Sequence, residues 1–408
     1  MKRIIYFSLV IMFLFGCNSN NEQPKAPVFS QKSLKLIEET SEFNWNLFRT
    51  MNADSYEKNF VISPLSITQA FGMAITGATG ENLNEMLDVF GLNNIESMNE
   101  AHKGIREVLS NVDPKTTINI ANSAWYNSNY DIKTPYKQSL ASYYDAEIAG
   151  LDFNNGEQAV KTINAWVNDK TRGKIPEIVN KVTPAHLLFL INAVYFYGSW
   201  TYQFDESATS DAPFFLSSGG NVLVKMMNQE NDLEYFNNNN YHGVKIPYGN
   251  GTFLMTVILP QNNNTTDKLI ESFDTKEWDN ISKEYPTKKV GLFMPRFKTA
   301  CDFNLIPPLR ELGMNMAFSS MYGLGFKNIS DLDIFISEVK HKTFIEVDEK
   351  GTEAAAVTSI GFEFTSVQPQ PDDKILFNIN KPFLFFISEK QSGAVLFAGK
   401  IENPLQEK

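Results

Sequence analysis

The sequence predicts an α+β fold, with helices early in the chain and strands later, and three observations carry that prediction. Leu36, Thr40, Phe43 and Leu47 recur at helical spacing, as do Val160, Ile163 and Val167, and stripes of this kind mark a helix face turned to a core. VKIPY and TFLMTVIL flank Asn250-Gly251. That dipeptide accepts positive φ at both turn positions and suits a tight hairpin. FNINKPFLFFI and AVLFAGKI are two further apolar runs, joined by the polar SEKQSG. Helices first and strands later argue for segregated layers.

The N-terminus reads differently from the rest. Lys2 and Arg3 precede IIYFSLVIMFLF, too short to span a bilayer comfortably and well placed as the apolar centre of a secretory signal. LFGC follows, ending at Cys17, and this resembles a bacterial lipoprotein signal with Cys17 as the lipid acceptor. Residues 1–16 are therefore expected to be removed, and residues 17–33, polar and Pro-containing, to form a flexible tether. Removing two positive charges takes the net charge from −11 to −11 − 2 = −13. The expectation is an exported chain held in the bacterial envelope by its lipid, on the periplasmic or the outer face of the outer membrane, with release to the outside as the alternative.

Residues 34–408 read as one domain, without an internal repeat or a long low-complexity linker. A composition of 43% hydrophobic and 20% charged residues is ordinary for a globular chain with a sizeable core. Acidic residues exceed basic ones and no basic block stands out, so nucleic acid is not an expected partner. With Cys17 committed to lipid, Cys301 is left as a small buried hydrophobe, and no intramolecular disulfide is expected.

Few residues offer catalytic or metal chemistry. His102, His186, His242 and His341 are the only histidines, and none has metal-ligand spacing. The chain has no GxSxG elbow and no phosphate loop; GATGE at 77–81 lacks the Lys and the hydroxyl that would hold phosphate and Mg²⁺. A triad assembled from distant residues remains the remote enzymatic alternative. No cofactor or metal is expected.

NFVISPLSI at 59–67, INAWVNDKTRGKI at 163–175, NAVYFYGSW at 192–200, MPRFK at 294–298, HKTFIEVDEKGTEAAAVT at 341–358, NKPFLFFI at 380–387 and GAVLFAGKIENP at 393–404 together resemble a serpin, in the family's order. The resemblance implies three β-sheets with eight or nine helices, and a reactive loop over about 350–371 exposed as bait. It also implies a monomer that traps endopeptidases covalently: the cut loop inserts into the large sheet and carries the acyl-enzyme with it, as stored strain is released.

The hinge agrees with that expectation on physical grounds. Thr352, Ala354, Ala356, Thr358, Ile360 and Phe362 would share one face of an inserted strand; Glu353, Ala355, Val357, Ser359, Gly361 and Glu363 would share the other. Both charges fall in the second set. Proline, which would remove a ladder hydrogen bond, is absent from 352–366. Carrier-type relatives in the family usually have bulky, charged or Pro residues there, so a binding or carrier role is the second reading. Counting sixteen residues from the hinge Glu349, through Gly351, gives Thr365 as the family's specificity residue and Ser366 after the bond, with Phe364 as the alternative. Lys and Arg are absent between Gly351 and Asp373. This disfavours trypsin-like targets and favours elastase-, subtilisin- or chymotrypsin-like ones, with papain-like cysteine proteases as a further class. By resemblance, Ser63, Ser66, Asn192 and His341 form a polar cluster beneath the opening sheet, Trp200 stands at the top of that opening, and Arg296 matches a basic position able to face Glu349, where an exposed pair would contribute little.

Overall fold

Capping residues set where the helices begin. Side chains of Ser30, Ser63, Asn94, Asn155 and Asp274 each accept the backbone N–H three residues on, satisfying donors that the first helical turn leaves open. The computed structural model describes residues 28–55, 58–322, 325–352 and 374–407. In order they form α1 (Gln31–Glu39), α2 (Ser41–Asp54), β1 (Phe60–Ile62), α3 (Pro64–Gly77), α4 (Gly80–Phe90), α5 (Ile95–Leu109), β2 (Thr116–Asn127), α6 (Thr134–Tyr144), β3 (Glu147–Leu151), α7 (Gly156–Lys170) and β4 (Leu188–Ser199). Next come β5 (Ser210–Phe215), β6 (Asn221–Asn237), β7 (Tyr241–Tyr248), β8 (Phe253–Pro260), α8 (Thr266–Glu271), α9 (Thr275–Ser282), β9 (Thr287–Pro295) and β10 (Phe297–Asn304). The described chain closes with α10 (Ile306–Glu311), β11 (Lys340–Val347), β12 (Gly351–Thr352), β13 (Ile375–Asn378), β14 (Phe383–Glu389) and β15 (Val395–Ile401).

The α+β class holds, but the segregation expected from the sequence is incomplete. β2, β3 and β4 alternate with helices in the first half of the chain. β2 and β4 pair antiparallel from Thr116 to Tyr126, with core on both faces, so they lack the polar alternation that would mark a strand exposed on one side.

One sheet has the order β10-β11-β12-β4-β2-β3; the other runs β1-β15-β14-β8-β7-β6-β9-β13, with β5 also on β6. The larger sheet accounts for two of the three sheets implied. β6 pairs with β5 near its start, with β9 through its middle and with β7 at its end, joining two layers into one ladder. α1 and α2 are parted only at Thr40, whose hydroxyl donates to Leu36 O at 2.8 Å. Thr40 keeps helical angles, so the Leu36–Leu47 stripe stays in phase and all four of its residues are buried. Counted as one run, α1–α2 brings the helices among the described residues to nine, within the number that the resemblance implies.

Two boundaries move, and one residue is less buried than expected. The expected tether ends early, because Phe29 is buried and α1 begins at Gln31. Residues 29–33 belong to the folded body. The Asn250-Gly251 hairpin forms between β7 and β8, but across four residues, with Tyr248 opposite Phe253. Positive φ falls on Gly249 and Gly251 rather than on Asn250. Asn250 N–H donates to the buried Asp113 at 3.2 Å, and a Cβ on Gly249 would lie 1.9 Å from Asp113 Oδ2, so contact with Asp113 sets the turn. Cys301, on β10, is only half-buried, and burial pushes its thiol up.

Aromatic residues hold the layers together. Trp45 on α2 touches Phe273, Trp278 and Phe386, and Phe48 packs on Phe60 at 5.0 Å between centroids. Each such side chain contributes roughly 1.5–3 kcal/mol by burial.

Candidate functional site: the hinge and the parted sheet

β11 runs straight into the hinge. Asp348 Oδ1 accepts from the N–H groups of Lys350 (2.9 Å) and Gly351 (3.2 Å), a side-chain turn that swings the chain back beside β11. β12 then pairs on both sides: Thr352 lies opposite Val347 of β11, while Gly351 and Thr352 lie opposite Ser199 and Gly198 of β4. Only glycine fits at 351, since a Cβ would stand 2.0 Å from Gly198 O. Below Thr352, β4 and β11 share no paired residues among the described ones. Their facing edges, Val194–Phe196 and Phe344–Glu346, line a cleft roofed by Thr352.

Aromatic and ionic contacts fix the top of this cleft. Thr352 is buried and its hydroxyl meets Tyr248 Oη at 2.6 Å. Tyr248 stacks on Trp200 at 4.4 Å, and Trp200 Nε1 donates to Asp348 O at 2.9 Å. Glu349, only 3% exposed, accepts from Arg296 Nε at 2.8 Å and Nη2 at 2.6 Å, and from the Thr209 hydroxyl. Burial alone would raise the Glu349 carboxyl; the Arg296 and Thr209 hydrogen bonds outweigh it and hold the group below the usual carboxylate range. The carboxylate of the pair is buried while Arg296 is 43% exposed; the segment carrying Glu349 is pinned by Phe204 N–H on Glu349 O and Trp200 N–H on Lys350 O, both at 2.9 Å.

Lower down, the four predicted cluster residues meet as two linked pairs. Ser63 N–H donates to His341 Nε2 at 3.0 Å, and Ser66 Oγ donates to Asn192 Oδ1 at 2.5 Å; the join is Ser66 N–H on Ser63 Oγ at 3.3 Å. Burial pushes the His341 imidazole down to about 4, so it stays neutral and keeps Nε2 free to accept. Asn122, which sequence reasoning missed, completes the network. Asn192 Nδ2 donates to Asn122 Oδ1 at 2.7 Å, and Asn122 Nδ2 donates to Tyr144 O at 2.8 Å. The run NIANSAWYN marks it only as an Asn in a strand-like stretch with no turn nearby; the β2–β4 register sets it opposite Asn192. Tyr248 and Thr209 were missed as well, since their partners are more than 100 residues away.

The remaining histidines stand elsewhere: His102 is buried beside Tyr144, His186 accepts from Thr183 N–H, and His242 packs on Phe377. Among the described residues no three His, Cys, Asp or Glu are placed to hold a metal ion. Glu353, Ala354, Ala355, Ala356, Val357, Thr358, Phe364, Thr365, Ser366 and Cys17 lie outside the described residues.

This arrangement has counterparts among known proteins. The family model described as serpin (serine protease inhibitor) matches residues 38–404. The leukocyte elastase inhibitor of Bos taurus is 34% identical, over 91% of this chain and 100% of its own length. The native state of the thermophilic serpin Tengpin superposes with a TM-score of 0.82 at 30% identity, covering 93% of this chain and 96% of that one. Human thyroxine-binding globulin in complex with its hormone also reaches 0.82, but at 23% identity, covering 92% of this chain and 100% of that one, and so shows the fold alone. With this match along nearly its whole folded length, and with its hinge entering a parted sheet, the chain belongs to the serpin family of serine protease inhibitors.

Proposed function

We propose that the chain is a suicide inhibitor of serine endopeptidases that traps the acyl-enzyme by inserting its cut loop between β4 and β11. The observation that carries this reading is β12, two hinge residues already paired to both strands above a stretch in which, among the described residues, β4 and β11 do not pair with each other. An unpaired strand edge is a template for another strand.

The register supports the same reading. Residue numbers opposed across β12 and β4 sum to 351 + 199 = 550, and across β11 and β12 to 347 + 352 = 699. Continued downwards, 550 − 192 and 699 − 341 both give 358, so Thr358 would arrive between Asn192 and His341. Its hydroxyl would enter the polar cluster while Ala354 and Ala356 pass the core-facing Phe196 and Val194. About a dozen new ladder bonds at ~1 kcal/mol net each make the inserted state more stable by roughly 10 kcal/mol. That is ample to disorder a catalytic site, where an error of about 1 Å can cost a hundredfold.

The cut is assigned to Thr365–Ser366, with Phe364 as the alternative, in a loop without Lys or Arg from Thr352 to Gln370. Elastase-, subtilisin- and chymotrypsin-like enzymes are the proposed targets, papain-like ones a further class. A relative that is an elastase inhibitor supports the first of these. The protein is further proposed to be a monomer, exported and anchored through lipid on Cys17; mass spectrometry of the envelope fraction should find a lipid-modified N-terminal peptide, and an unmodified Cys17 there would refute the anchor. The trap itself is tested by mixing the purified domain with pancreatic elastase. A band at the summed mass on a denaturing gel, with a cut after Thr365, is expected; cleaved domain beside active elastase would contradict the elastase assignment.

A carrier role is the second reading, favoured by one feature. A cavity of about 1060 Å³ opens between α1–α2, α9 and the β14–β15 turn, walled by Trp45 and Trp278. Saturable binding of an aromatic ligand there, without any covalent complex with proteases, would decide for it.

A further inference from the structure

We propose that the pole of the molecule beneath the cleft carries an apolar landing surface for the trapped protease, formed by Tyr130, Leu332 and Phe335. This inference rests on the insertion reading above.

The strands fix where the surface lies. β4 begins at Leu188, opposite Tyr126 near the end of β2, and β11 begins at Lys340. At this pole Asn127 N–H donates to Leu187 O at 2.8 Å and Tyr130 N–H to Asn127 O at 3.0 Å, which sets the 128–133 turn against the start of β4. The segment leading to β11 lies beside the same turn. Lys133 N–H donates to Ile329 O at 2.8 Å, Ser330 Oγ to Asp131 O at 3.1 Å, and Lys133 Nζ pairs with Asp331 at 2.6 Å. Tyr130 in this turn, and Leu332 and Phe335 in the segment leading to β11, are 42%, 44% and 45% exposed. Large apolar side chains open to solvent on two neighbouring segments offer an interaction surface.

The register says what arrives there. On β4 the sum of 550 places residue 362 opposite Leu188; on β11 the sum of 699 places residue 359 opposite Lys340. An inserted strand therefore leaves the sheet at this pole, and Thr365 stands three residues past its last β4 partner. At ~3.3 Å per residue that is about 10 Å. A protease acylated at Thr365 has nowhere to sit but against this end of the molecule. Loss of packing in an enzyme pulled in this way would expose apolar groups that its fold had buried. Apolar contact is non-directional, so one patch serves targets of different specificity, where a set of hydrogen bonds would serve one. The surface acts after capture and sets how long the distorted enzyme stays distorted.

The test uses the mature chain with Leu332→Ser and Phe335→Ser together, both sites exposed, with melting scans to verify the fold, and Tyr130→Ser as an independent variant. Covalent complexes with pancreatic elastase are isolated and the return of elastase activity is followed. The association rate and the stoichiometry of inhibition should match the parent, while elastase escapes from the double-variant complex roughly tenfold faster. Escape at the parent's rate from both variants, or a loss confined to the association rate, would overturn the landing surface and leave insertion standing. Failure of the parent to form a covalent complex with any of elastase, subtilisin and chymotrypsin would overturn both.

Discussion

The top and the middle of the cleft are built differently. At the top, Thr352, Tyr248, Trp200, Asp348 and the Arg296–Glu349 pair interlock through bonds of 2.6–2.9 Å, and the two strands are already bridged by β12. Midway down, Asn192 and His341 are not bonded to each other among the described residues; each is tied instead to α3, through Ser66 and Ser63. The top is an entrance held at fixed width. The middle is a latch whose two halves are hinged on a helix, so an arriving strand has few strand-to-strand bonds to break there.

If the top is an entrance, a charge at its threshold should do the most damage. Thr352→Arg would place a guanidinium where Tyr248 and the core now stand, and burying it unpaired is costly. Inhibition should fall at least about a hundredfold, with cleaved protein replacing complex on a gel, because slow insertion gives water time to release the enzyme.

The latch makes its prediction through pH. His341 has its folded pKa near 4, below the ordinary 6.5. The folded state thus binds fewer protons, and the stabilisation is full above pH 6.5 and lost as pH falls towards 4. On the order of 3 kcal/mol is at stake, and His102, pushed down to about 3 by burial, acts in the same direction. Denaturant midpoints measured from pH 7 to 4 should fall steeply, and His341→Gln should flatten that slope; an unchanged slope would remove His341 from the account.

Glu349→Ala breaks the pinned end and leaves Arg296 without its partner. Because Arg296 is 43% exposed, water recovers part of the loss, and about 1–2 kcal/mol is expected as a lower melting point. Asn122→Ala comes last, at roughly 1 kcal/mol. It should speed spontaneous insertion on warming, since Asn192 loses its tie to β2; a variant that melts lower but inserts at the parent's rate would make Asn122 a plain core residue.

Local order was legible where one residue type has one use. The 36–47 stripe and the Asn192 and His341 segments follow from periodicity or a family motif. What was not legible depends on pairings distant in sequence. Nothing near Glu349 tells that Trp200 and Phe204 will bury it, and nothing in NIANSAWYN tells that Asn122 will face Asn192 until β2 and β4 are aligned. The four-residue turn at 249–252 was misread because the two-residue rule assumes a free hairpin, whereas this one is seated on Asp113.

Insertion is the central claim, and melting tests it most directly. The mature domain would be cut once between residues 353 and 366 by limited proteolysis, the product verified by mass, and its thermal transition compared with that of the intact chain. A rise of roughly 10 °C or more is predicted, because the freed strand fills the cleft between β4 and β11. An unchanged or lower transition would mean that the cut loop stays outside the sheet, and that the hinge pairing at Gly351–Thr352 leads no further.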